Sequence, residues 1–153
     1  MTGREELADA FVTASRALVG MAVRSVAAAP VEITLPQHRA LVLLATHGSQ
    51  TVGALASPLG INHSNASRLC DRLERLGLVA RRRSESDARS VEISLTDAGE
   101  DLLETVNEHR RNEVIQVLTT MQQDEAEVTI RALAAFSEAA HEVAADGWAM
   151  SAI

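Results

Sequence analysis

Residues 62–77 read NHSNASRLCDRLERLG, a stretch whose polar side chains fall on one side of a helix. Ala66, Leu69, Cys70, Leu73 and Leu76, spaced by threes and fours, form a single apolar stripe of a 3.6-residue period. Ser64, Ser67, Arg68, Asp71, Arg72 and Arg75 then occupy the opposite side. Guanidinium groups beside hydroxyls on one rigid face suit recognition of an acidic partner. A solvated amphipathic helix carries the same kind of face, so the neighbouring sequence has to decide between them.

The neighbouring sequence is basic too. Residues 62–95 hold seven arginines against Asp71, Glu74, Glu85, Asp87 and Glu92, a local charge of 7 − 5 = +2. The rest of the chain holds seven against sixteen, or −9, giving the overall −7. Net acidity argues against indiscriminate binding to polyanions and leaves one focused basic surface. All fourteen basic residues are arginine, a bias to which no functional weight is given.

These residues need elements to hold them. Asn62 is a good N-cap for the helix and Gly77 a good residue just beyond its end. Upstream, TVGALASPLG predicts a short helix capped by Thr51, with Gly60 allowing a tight turn into the arginine-bearing helix. Two helices across a short glycine turn make a helix-turn-helix. Downstream, LVARRR and SVEISL flank the polar loop SESDAR, and Val91, Ile93 and Leu95 alternate with Glu92 and Ser94, so a β-hairpin follows the second helix directly. Arg81 and Arg83 share one face of its first strand and Arg82 the other.

Long helices surround this unit. From Glu5 to about Ala28, Leu7, Phe11, Ala14, Leu18, Met21 and Ser25 step by fours and threes until Pro30. A core helix runs from Leu35-Pro36 to Gly48. Thr96 caps a fifth helix of about 25 residues, and a sixth starts near Gln123. The chain after Gly147 is expected to be loose. At 153 residues with 46% hydrophobic content, the chain suits one mainly α domain with a small β wing. Its first twenty residues are too charged for a signal peptide, no run approaches about 18 apolar residues, and lone Cys70 forms no intrachain disulfide. A cytoplasmic protein without a membrane span is expected.

LPQHRALVLLATHG, LASPLG, the 62–77 stretch and GLVARRRSESDARSVEISLTDAG together resemble the multiple antibiotic resistance regulator (MarR) family over about residues 33–105. The most specific matches are R-L-x-x-R-L-E-x-x-G-L-V from Arg68 to Val79, D-x-R at Asp87 and Arg89, and L-T-x-x-G from Leu95 to Gly99. The sequence departs from the family where Ala88 stands in a wing that often reads D-R-R, and where Cys70 replaces a more usual aliphatic residue.

The resemblance implies a winged helix-turn-helix DNA-binding lobe at about 33–98, with long helices at about 5–28 and 99–146 interleaving into a homodimer. A DNA major groove about 12 Å wide admits one helix. By resemblance, Ser64, Asn65, Ser67 and Arg68 face base edges or adjacent phosphates, with Arg68 suited to guanine and Asn65 to adenine. Arg72 and Arg75 hold phosphates, and His63 does either. In the wing, Arg89 enters the minor groove, its position held by Asp87, while at least one of Arg81, Arg82 and Arg83 reaches phosphate. The expected protein is a dimeric repressor of neighbouring genes that reads an inverted repeat and is relieved by a small aromatic or phenolic effector.

His38 and Arg39, near the start of the second helix, are candidate effector ligands, although helical residues of these types are more often structural. Cys70 lies on the apolar stripe, where a buried thiol is usually inert, and no cysteine occurs in residues 1–35, where family peroxide sensors carry theirs. His109 and Glu113 stand four apart and could join His38 on a metal, but without a denser cluster no metal or cofactor is assigned. The chain lacks G-x-S-x-G, a phosphate loop and H-E-x-x-H, so catalysis is not expected. The competing readings are a winged-helix module that binds protein, or a metal- or redox-responsive regulator.

Overall fold

A computed structural model of the chain describes residues 3–148. Its elements follow the order α1 (Gly3–Ala27), α2 (Leu35–His47), β1 (Gln50–Thr51), α3 (Val52–Leu59), α4 (His63–Arg75), β2 (Val79–Arg83), β3 (Val91–Leu95), α5 (Asp97–Leu118) and α6 (Ala126–Ala139). Single 3-10 turns at Gln123–Glu125 and Ala145–Gly147 flank α6. Mainly helical architecture with a small wing agrees with the sequence reading. β1 is an addition: two residues pair with β3 (Gln50 opposite Ile93, Thr51 opposite Glu92), making a three-stranded antiparallel sheet of order β1-β3-β2.

α2 is the centre of the lobe. Thr34 opens it with a capping box, its hydroxyl accepting from Gln37 N while Gln37 Oε1 accepts from Thr34 N at 2.9 Å. Residues Ala40 to Ala45 are all buried, so this stretch of the helix is enclosed all round and needs no amphipathic pattern. Around it close Leu55 of α3, Cys70 and Leu73 of α4, Ile93 of β3 and Leu102, Leu103 and Val106 of α5. Each such aliphatic side chain contributes about 1.5–3 kcal/mol by leaving water. The wing strands therefore grow from the same core that seats α4.

The outer helices are different. α6 has no buried residue, and its contact with α1 includes Phe136 stacked on Phe11 with ring centroids 4.1 Å apart. Only Met21, Ser25 and Val26 of α1 are buried, while Leu7, Leu18, Val19 and Val23 are at least half exposed. Ile115, Val117, Leu118, Leu133 and Phe136 extend this apolar surface over α5 and α6.

α1 is long and apolar enough to cross a bilayer by length and composition alone, although no uninterrupted run of about 18 apolar residues occurs in it. Arg16 and Arg24 interrupt the run without offsetting its mean. Trp148 packs against the core, and the rest of the tail expected to be loose lies outside the described residues.

Candidate nucleic-acid interface

The turn between α3 and α4 is closed by Gly60 at φ 66°, a left-handed conformation costly for other residues. Gly60 N donates to Ser57 O at 3.0 Å and Ile61 N to Ala56 O at 3.1 Å, satisfying the last carbonyls of α3. Asn62 then caps α4, its Oδ1 accepting from Asn65 N at 2.8 Å. Ala66, Cys70 and Leu73 are buried to 1% exposure or less, which sets the rotation of α4. His63, Ser64, Asn65, Arg68, Arg72 and Arg75 consequently face solvent, with Ser67 and Asp71 half-buried beside them. Arg68 donates to Asn65 Oδ1, so the two residues expected to meet bases already touch one another.

The hairpin of β2 and β3 projects beside this face, in register from Val79 opposite Leu95 to Arg83 opposite Val91. At its tip Ser84 N donates to Ser90 O at 2.9 Å and Ser90 N to Asp87 O at 3.0 Å. Asp87 Oδ1 accepts from Arg89 N at 3.0 Å. The aspartate thus shapes the loop through the arginine's backbone, an Asx turn, and leaves the Arg89 guanidinium exposed. Arg82 and Arg83 are exposed as well. Arg81 is not: its guanidinium donates to Asp71 and lies 3.7 Å from Glu74, both on α4.

The L-T-x-x-G segment ties the end of α4 to the start of α5. Thr96 Oγ1 donates to Gly77 O at 2.6 Å and accepts from Gly99 N at 3.2 Å, while Thr96 N donates to Leu78 O at 3.1 Å. A Cβ on Gly99 would come within 2.3 Å of Leu78 O, so the backbone can approach this closely only at glycine.

His38 and Arg39 are separated by the fold. His38 is buried at 5% exposure, its Nε2 has no hydrogen-bond partner, and its pKa is lowered to about 4 by burial first, then by the charges of Arg110 and Arg39. Arg39 lies at the surface in a two-pronged pair with Glu142 at 2.8 and 2.9 Å, which raises its pKa. Sequence reasoning missed Arg110 and Ser25: Arg110 Nε donates to Ser25 Oγ at 3.1 Å, its Nη2 is buried without a partner, and burial lowers its pKa. The one polar residue in the near-heptad stripe of α1, Ser25, was the available signal. Glu113, grouped with His109 as a possible metal ligand, instead pairs with Arg24. Among the described residues no group of three or more histidine, cysteine or acidic side chains converges on a metal position. Cys70 is buried, and burial pushes its thiol pKa up.

A helix-turn-helix whose second helix exposes arginines, followed at once by an arginine-tipped hairpin, defines a winged-helix regulator. Comparison with known proteins agrees: residues 33–91 match the MarR family. RV1404 from Mycobacterium tuberculosis has a similar crystal structure, with TM-score 0.84 and 37% identity over 92% of this chain and 95% of that one. A MarR family protein from Bacillus stearothermophilus gives TM-score 0.79 and 32% identity over 93% of this chain and 99% of that one. The transcriptional repressor MprA of Escherichia coli is 31% identical over 99 residues, 61% of this chain and 56% of MprA. The chain belongs to the MarR family of transcriptional regulators.

Proposed function

We propose that the protein is a cytoplasmic homodimeric repressor that binds an inverted-repeat operator near its own gene and releases it on binding a small aromatic or phenolic molecule. The observation that carries this reading is the shared exposure of Arg68, Arg72 and Arg75 on α4 and of Arg82, Arg83 and Arg89 on the wing. Phosphate contacts supply affinity and register, and base edges supply sequence. Ser64, Asn65, Ser67 and Arg68 occupy the end of α4 that would enter the groove, and Arg72 and Arg75 would flank it on phosphate. The repressor sign is supported by MprA, a repressor in its own name.

The residues about 33–98 serve as the reading lobe, and the helices about 5–28 and 99–146 hold two copies together. The apolar surface of α1, α5 and α6 supports this assembly, because contiguous exposed apolar side chains mark interaction sites. Two recognition helices one DNA turn apart, about 34 Å, would read both half-sites. Effector relief is supported by the orphaned polar atoms of His38 and Arg110 where α1, α2 and α5 meet, since a ligand pairing with them in only one spacing of the lobes would shift the equilibrium.

Selection from a pool of random duplexes tests the reading. Enrichment of one inverted repeat is expected. Failure to enrich any sequence, with the protein folded, would sink it.

A further inference from the structure

We propose that Arg81 is a positioning residue of the reading surface and not one of its phosphate ligands: it braces the wing against the recognition helix through Asp71. This rests on the DNA-binding reading above. Arg81 lies opposite Ile93 in the β2–β3 register, and Ile93 is fully buried, so the Arg81 side chain leaves the sheet on the core side, where α4 packs. To reach water it must run along α4, and there it meets Asp71 directly and Glu74 at 3.7 Å. Its side chain is 31% exposed; Arg82 and Arg83, further along the hairpin, are exposed and have the freedom to follow a backbone.

Charge makes the pairing consequential. Asp71 follows Arg68 by three residues and precedes Arg75 by four, so its carboxylate sits among the arginines on the exposed face of α4. Left alone, that carboxylate would repel phosphates and compete for Arg68 or Arg75. Arg81 neutralises it and at the same time fixes the angle between wing and helix, so that major- and minor-groove contacts can be made together. The ion pair is a charge-assisted hydrogen bond, which constrains geometry more than it adds to stability when partly exposed.

Three variants separate a brace from a phosphate ligand: Arg81→Gln, Asp71→Asn and the double variant, which leaves net charge unchanged. Because the pair is partly exposed, all three should fold, which circular dichroism checks. Binding is measured on the selected duplex and on random duplex over a range of salt. For a brace, each single variant loses about tenfold in selectivity, the scale of one lost base-pair contact. The double variant loses no more than either single, and the salt slope stays as in wild type. For a phosphate ligand, Arg81→Gln weakens both duplexes alike and flattens the slope by about one, while Asp71→Asn strengthens both; that pattern overturns the proposal. A second readout needs no DNA. In nitrogen-15-labelled free protein, the Arg81 guanidinium signals should be dispersed and should collapse in Asp71→Asn. Signals averaged like those of Arg82 in wild type would overturn the brace. Should wild type select no duplex, the DNA-binding reading falls, and the guanidinium signals still decide whether the brace exists.

Discussion

Replacing Gly99 by alanine is a one-methyl change with a defined obstacle. The new Cβ would stand 2.3 Å from Leu78 O and 3.0 Å from Leu95 Cδ2. Leu95 can yield, but Leu78 O already accepts from Thr96 N and belongs to the turn that ends α4. Overpacking of this kind costs about 1–3 kcal/mol, and a clash with backbone belongs at the upper end. Alanine returns up to about 1 kcal/mol of helix propensity in the first turn of α5. The net loss is about 2 kcal/mol, which for a chain of this size lowers Tm by about 4–8 °C. Thermal unfolding at matched protein concentration measures it, because association of copies would make Tm depend on concentration. Gly53→Ala is the control: its Cβ meets only Thr51 Oγ1 at 4.0 Å, and it should be neutral or stabilising. A Gly99→Ala protein that melts at or above wild type would refute the close approach between α5 and the turn after α4.

Three further outcomes are expected. Arg68→Ala should relax preference at one base pair, whereas Arg72→Ala should weaken all duplexes alike and flatten the salt slope by about one; equal losses of specificity would show that the two arginines share one role. His38, lowered to about 4 against about 6.5 unfolded, favours the neutral ring in the fold. Its contribution, on the order of 3 kcal/mol, is therefore complete above pH about 6.5 and fades as pH falls towards 4, because the unfolded chain takes up the proton first. Urea titrations at pH 7.5 and 4.5 should show a smaller pH effect in His38→Gln, and an unchanged effect would count against burial of the ring. The Cys70 thiol, buried and raised in pKa, should react slowly with a disulfide reagent in native protein and at once in urea. Rapid native labelling would reopen redox sensing.

What the sequence made legible was local. Thr51, Asn62 and Thr96 were readable as caps because each acts on an amide three residues ahead, at Ala54, Asn65 and Gly99. The Thr34–Gln37 capping box is equally local, a T-x-x-Q spacing that straddles Leu35-Pro36. β1 was beyond reach because a two-residue strand has no alternation of its own and is defined by its pairing with β3. Strand alternation set Arg81 apart from Arg82 but could not name the partner of either, since Asp71 lies ten residues away on another element. The contacts of Ser25 with Arg110 and of Arg39 with Glu142 span 85 and 103 residues, distances over which spacing carries no signal. His38 is a candidate effector ligand by its place near the start of α2, but spacing within one helix could not show that neighbouring elements bury it to 5% exposure. Asp87 was expected to hold Arg89, and it does contact that residue, through the backbone amide.

Whether the protein is a sequence-specific regulator is decided by equilibrium binding to the operator obtained by selection and to a shuffled duplex of the same composition, each titrated with salt. A dimeric operator-binding protein should show two protomers per operator, a strong preference for the intact inverted repeat, and affinity whose logarithm falls steeply and linearly with the logarithm of salt concentration. Equal, weak or salt-insensitive binding to the two duplexes would contradict it.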